Sequence, residues 1–70
     1  MEKLKVGTLL LDNKKVGVIT RVITSGTLKT EHDLIKWRNN YEVCYSDGSF
    51  CIIGEATMHR LIQKGDIKLL

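Results

Sequence analysis

The chain has 70 residues, a formal net charge of +3 and a pI near 9.0, with 43% hydrophobic residues. That length makes one small domain, residues 1-70, with a marginal core. The hydrophobic content argues against disorder, and no run approaches the ~18 apolar residues of a membrane helix. Charges at Glu2, Lys3 and Lys5 occupy the place of a signal peptide's apolar segment, so the expected location is the cytoplasm.

In chain order, the first apolar segment runs from Val6 to Leu11 and closes on the turn Asp12-Asn13-Lys14-Lys15. The next, Val16 to Thr24, is rich in β-branched residues and apolar at both parities. Together with Gly17 this predicts a strongly bent strand whose two ends serve a closed core. Ser25-Gly26-Thr27 opens an expected loop reaching about Asp33. Leu34-Ile35-Lys36-Trp37 extends the following strand outward before a break at Asn39-Asn40.

Tyr41 to Ile53 reads as a β-hairpin turning on Asp47-Gly48. A two-residue type I′ loop pairs Tyr45 with Phe50, Cys44 with Cys51 and Val43 with Ile52. Val43, Tyr45, Phe50 and Ile52 then form one apolar face. A three-residue loop with a glycine bulge would pair Glu42 with Ile52 and spread the apolar residues over both faces. A one-residue slip carries a hydrophobic set to the wrong side, so the two-residue register is the one expected. In that register Cys44 and Cys51 form a hydrogen-bonded pair, whose side chains are held too far apart for a good disulfide, so both are expected as free thiols.

Gly54 to Gly65 is the one helix-like stretch. Met58, Leu61 and Ile62 make a single stripe, Glu55 lies in the first turn, Arg60 and Lys64 lie toward the end, and Gly65 suits the C′ position. Asp66 to Leu70 reads as a last short strand. The expected fold is mostly β: a five-stranded SH3-like (Tudor-like) barrel with one short C-terminal helix before the last strand.

A family likeness follows. Lys5-Val6-Gly7-Thr8-Leu9, Val16-Gly17-Val18-Ile19-Thr20-Arg21-Val22, Trp37 and Tyr41-Glu42-Val43-Cys44-Tyr45-Ser46-Asp47-Gly48 resemble the small SH3-like barrel proteins encoded by tailed bacteriophages. The likeness spans about fifty residues, carried by turn glycines and core positions. It implies the fold and a viral origin, and no activity. The Val16-Gly17-Val18-Ile19 strand is also similar to the KOW element of transcription and ribosomal proteins, with Asp12-Asn13 where that motif keeps glycine.

Chemistry is sparse. Cys44, Cys51, His32 and His59 do not have the Cys-x2–4-Cys spacing of a structural zinc site, and no third residue orients a Cys–His nucleophile pair. His59 is expected to face Glu55 one turn earlier. No catalytic residue, metal, cofactor or small-molecule substrate is expected. Tyr45 and Phe50 are expected in the core. The favoured reading is a protein-binding module using Trp37 and Tyr41, flanked by Lys36 and Arg38, on a host or viral protein; a homo-oligomer would relieve the small core. The alternative is an RNA- or single-stranded-DNA-binding barrel, with Lys14, Lys15, Arg21, Lys36 and Arg38 on phosphates and Trp37 stacked on a base.

Overall fold

A computed structural model describes the backbone of residues 3–29 and 34–70, and the side chains of 3–26 and 38–70. Its elements are β1 (Leu9–Asp12), β2 (Lys15–Lys29), β3 (Leu34–Tyr45), β4 (Phe50–Gly54), α1 (Glu55–Lys64) and β5 (Ile67–Leu69). All ladders are antiparallel, in the order β4-β3-β2-β1-β5. The sheet is mostly β as expected, but it stays open: no ladder among the described residues joins β4 to β5.

Local chemistry sets the strand ends. The first strand starts later than Val6 because Gly7, at φ 93°, turns the chain; the Thr8 N–H donates to the Lys5 carbonyl at 3.1 Å. Asn13 and Lys14 form a tight two-residue connection, with Asn13 at φ 60° and Asp12 opposite Lys15. The closed core that both ends of β2 were expected to serve does not form: its far end runs out along β3. A β-bulge falls between Ile19 and Arg21, leaving Thr20 outside the pairing. A Cβ on Gly17 would lie 2.8 Å from Val43 Cγ1 and 3.0 Å from Tyr45 Cδ1, so this position brings β2 close to its neighbour.

The expected loop beginning at Ser25 is strand instead. Ser25 to Lys29 continue β2 and pair with Arg38 back to Leu34; Asn39 and Asn40 lie within β3 with no break. Thr30 to Asp33, including His32, lie outside the described residues. β1 reaches β2 only as far as Val18, and β4 reaches β3 only from Asn40. The remaining β2–β3 pairs therefore form a two-stranded arm.

The Asp47-Gly48 turn takes the three-residue form. Cys44 faces Phe50, Val43 faces Cys51 and Glu42 faces Ile52, one residue away from the expected register. A type I′ turn needs positive φ at both central residues, and here only Gly48 has it, at 87°. The Asp47 carboxylate accepts the Ser49 N–H at 2.9 Å and the Ser49 hydroxyl. The Gly48 N–H closes onto the Tyr45 carbonyl at 3.0 Å. Such an Asx-type turn holds Asp47 at negative φ and leaves Gly48 as the bulge residue.

α1 matches expectation. Gly65 ends it in the left-handed region at φ 85°, its N–H bonded to the Ile62 carbonyl, and Asp66 bonds back to Leu61 at 2.9 Å. The helix packs on one face of the sheet, touching β3, β4 and β5. Among the described residues, Leu10, Ile19, Tyr41, Val43, Met58 and Ile67 are fully buried there, ringed by Leu4, Val22, Tyr45, Cys51, Ile53, Leu61 and Ile62.

Candidate interaction surface

The slipped hairpin register decides what the other face carries. Directly opposed residues of a sheet point to the same side. Phe50 opposes Cys44, Cys44 opposes Val18, and Val18 opposes Leu9. The Leu70 N–H then donates to the Leu9 carbonyl at 3.0 Å. One row of five apolar residues thus crosses β4, β3, β2 and β1 on the face away from α1 and ends on Leu70, the residue after β5. Phe50 is 67% exposed, Leu9 49% and Leu70 69%, with Val18 and Cys44 half-buried between them. Ile52 and Val16, also exposed, lie in the adjacent rows.

Polar groups flank the row and satisfy one another. The Thr20 hydroxyl donates to Glu42 Oε1 at 2.8 Å, and Arg21 Nη1 stands 4.0 Å from Glu42 Oε2. The bulge places Thr20 against Glu42 and also 3.6 Å from Cys44 Sγ. Glu42 is therefore held at the rim, while Lys68, opposite Leu11 in the row beside Leu9 and Leu70, projects from the same face with no ion-pair partner among the described residues.

Beside this face, the Asn13-Lys14 turn and the Asp47 loop frame an open cleft of about 810 Å³ walled by Asp12, Lys15, Tyr45 and Phe50. At its base the Tyr45 hydroxyl donates to Asp12 Oδ2 at 2.6 Å and contacts Cys51 Sγ at 3.2 Å. Burial, then the hydrogen bond to Asp12, then Cys51 push the Tyr45 hydroxyl well above its usual range. Its proton is held for structure. Lys15 stands 5.7 Å over the Tyr45 ring and 3.1 Å from Asp47, a carboxylate held low chiefly by the Ser49 hydroxyl and N–H.

The sequence-chosen residues do not converge. Tyr41 is no wall of a surface cleft: it is fully buried. Its hydroxyl accepts the Leu4 N–H and donates to Glu55 Oε2, both at 3.2 Å, and burial pushes it up. Trp37 and Lys36 pair through their backbones with Gly26 and Thr27; their side chains lie outside the described residues. Arg38 is exposed, beside a groove formed with Asn39, Asn40, Gly54 and Glu55. Of the basic set, Lys14 and Lys15 sit at the β1–β2 turn and Arg21 six residues along β2, about 20 Å away at strand rise.

Other expectations are also revised. Phe50 faces solvent instead of the core. Glu55 turns to Asn39 Nδ2 at 2.8 Å and to Tyr41, not to His59. Cys44 and Cys51 are free, for a stronger reason than pair spacing: they point to opposite faces. Among the described residues no three His, Cys, Asp or Glu side chains cluster as metal ligands, and no helix is long and apolar enough to cross a membrane. The outer row had a sequence signal: Val43-Cys44-Tyr45 and Phe50 to Ile53 are apolar at both parities.

No protein-family model matches the chain, and neither curated proteins nor solved structures include a significant match.

Proposed function

We propose that this chain is a non-catalytic protein-interaction module, a phage-encoded accessory or assembly protein working in the host cytoplasm, and that it docks through the outer face of its sheet. The observation that carries the reading is the row Phe50, Cys44, Val18, Leu9 and Leu70. Exposed apolar patches of this continuity mark contact surfaces, because a lone soluble domain gains nothing from keeping them in water. Two features support an SH3-like plan: the order β4-β3-β2-β1-β5 with the helix leading back to β5 beside β1, and the close approach at Gly17 followed by the β-bulge at Thr20 in β2. The cleft chemistry supports a binding role too. The Tyr45 hydroxyl is committed to Asp12 and Cys51, and Lys15 is ion-paired with Asp47.

The basic residues give the RNA or single-stranded DNA alternative less support. Lys15 pairs with Asp47, Arg21 with Glu42, and the two lie toward different ends of the sheet. A photo-reactive phenylalanine analogue at position 50, irradiated in the source cell, tests both readings. Protein adducts that vanish with Leu9→Glu are expected. Nucleic-acid adducts alone, with a steep salt dependence of binding to labelled RNA, would overturn the proposal.

A further inference from the structure

We infer that the free edge of β4 is a self-association site, where two copies of the chain join antiparallel, β4 to β4, into one continuous sheet. The contact is made by the rim of the sheet and does not depend on the docking face proposed above. The Tyr45 N–H donates to the Ser49 carbonyl at 2.8 Å, which makes Tyr45 and Ser49 a hydrogen-bonded pair. Such pairs alternate along an antiparallel ladder, so Val43 with Cys51 and Tyr41 with Ile53 are bonded too. The N–H and C=O groups of Phe50 and Ile52, and the Gly54 N–H, therefore point away from β3. Among the described residues no other backbone group takes them. The opposite edge is guarded: β5 has three residues, with Lys68 at its centre and the Lys64–Asp66 ion pair before it. β4 has five residues and no charge, proline or bulge. Free groups at this spacing fit an added strand.

Symmetry selects a second copy as that strand. A two-fold axis at Ile52 sets this residue against its own copy, the two exchanging both hydrogen bonds, and sets Phe50 against Gly54 of the other copy. Gly54 is still extended, at φ −65° and ψ 151°, before the chain turns into α1. A Cβ there would meet only Asn40 Oδ1, at 3.5 Å, so the surface over Gly54 lies open. The exposed Phe50 ring of each copy covers it, an aromatic–glycine pair made on both sides of the axis. On the inner side Cys51 comes beside Ile53 of the other copy, both half-buried. The carboxylates bordering the strand are already held within their own chain. Glu42 has Thr20 and Arg21, Glu55 has Asn39 and Tyr41, and Asp47 has Lys15.

The contact is smaller than a standard interface, so the test is sedimentation equilibrium of the full chain from about 20 µM to about 2 mM. Amide hydrogen exchange is followed at both ends of that range. The wild type should dimerise, and the Ile52 amide should gain about tenfold protection while the Leu69 amide on the guarded edge gains none. Ile52→Lys, at an exposed position, should weaken the dimer about tenfold by setting like charges across the axis. Ile52→Pro removes only an outward N–H and should weaken it about 30-fold with the far-UV circular dichroism retained. Should the proline variant not fold, the lysine variant carries the test. Leu9→Glu, on the docking face, should leave the dimer intact. A wild type monomeric at the highest concentration overturns the inference, and so does a dimer that withstands Ile52→Lys. A position-50 adduct of twice the 7.9 kDa chain mass that survives Leu9→Glu supports the edge contact. Loss of the dimer alone leaves the docking face in place.

Discussion

The two faces of the sheet carry similar side chains and meet different fates. The inner face holds Leu10, Ile19, Tyr41 and Val43, sealed by Met58 of the helix. The outer face holds Leu9, Val16, Phe50 and Ile52, each between 43% and 67% exposed. Composition does not separate them; cover does. One ten-residue helix can shield one side of a five-stranded sheet, and an antiparallel sheet normally answers that with a polar second side. Here the second side carries an apolar row beside Thr20, Arg21, Glu42 and Lys68, which shifts attention from the fold's own stability to what lies against it.

Substitutions should split the faces sharply. Tyr41→Ala should cost about 3–5 kcal/mol, enough to unfold much of so small a domain. Phe50→Ser, measured by urea denaturation, should move stability by no more than about 0.5 kcal/mol. Equal losses would mean the outer face is covered from within the same chain.

Overpacking at the closest approach of β2 and β3 probes the inner face alone. Gly17→Val should cost about 1–3 kcal/mol by thermal melting, because its first carbon already falls 2.8 Å from Val43 Cγ1. Leu9→Thr, one row away on the outer side, should leave the melting temperature nearly unchanged. Tyr45→Phe removes the hydroxyl that meets both Asp12 and Cys51. A loss of about 1–2 kcal/mol is expected, with the strand pairing intact by hydrogen exchange.

The smallest effects come from pH. Glu55 is held below its ordinary 4.5, first by the Asn39 amide, and Asp47 below 3.8, first by the Ser49 hydroxyl. Each therefore stabilises the fold above those ordinary values, and the stabilisation is lost as pH falls through the lowered ones. Tyr41 and Tyr45 are shifted the other way. Their contribution is present below pH 10 and lost as pH rises through the raised values. Chemical denaturation across pH should show both limbs, and Glu55→Gln should flatten the acid one.

Much of the fold was legible because it is written locally. Gly65 closes the helix with the φ that only glycine adopts easily, Met58-Leu61-Ile62 faces the sheet, and the Asp12 to Lys15 turn falls where its polar residues put it. The hairpin register was not legible, for an instructive reason. Alternation fixes register only when one face is meant to be polar. With Val43-Cys44-Tyr45 opposite Phe50 to Ile53, either slip buries apolar groups, and the choice passes to the turn. There the Asp47 side chain captures Ser49 and settles it. Tyr41 was misplaced because an aromatic next to a polar stretch looks the same from sequence whether it faces in or out. Its burial depends on Leu4 and Glu55, distant partners that meet only in the fold.

That register also distributes the two thiols. Since Cys44 and Cys51 project from opposite sides of the sheet, the chain carries one sulfur label per side. A small alkylating reagent applied to the intact protein then reads the two surfaces separately, residue 44 recording whatever rests on the open side and residue 51 the breathing of the packed one.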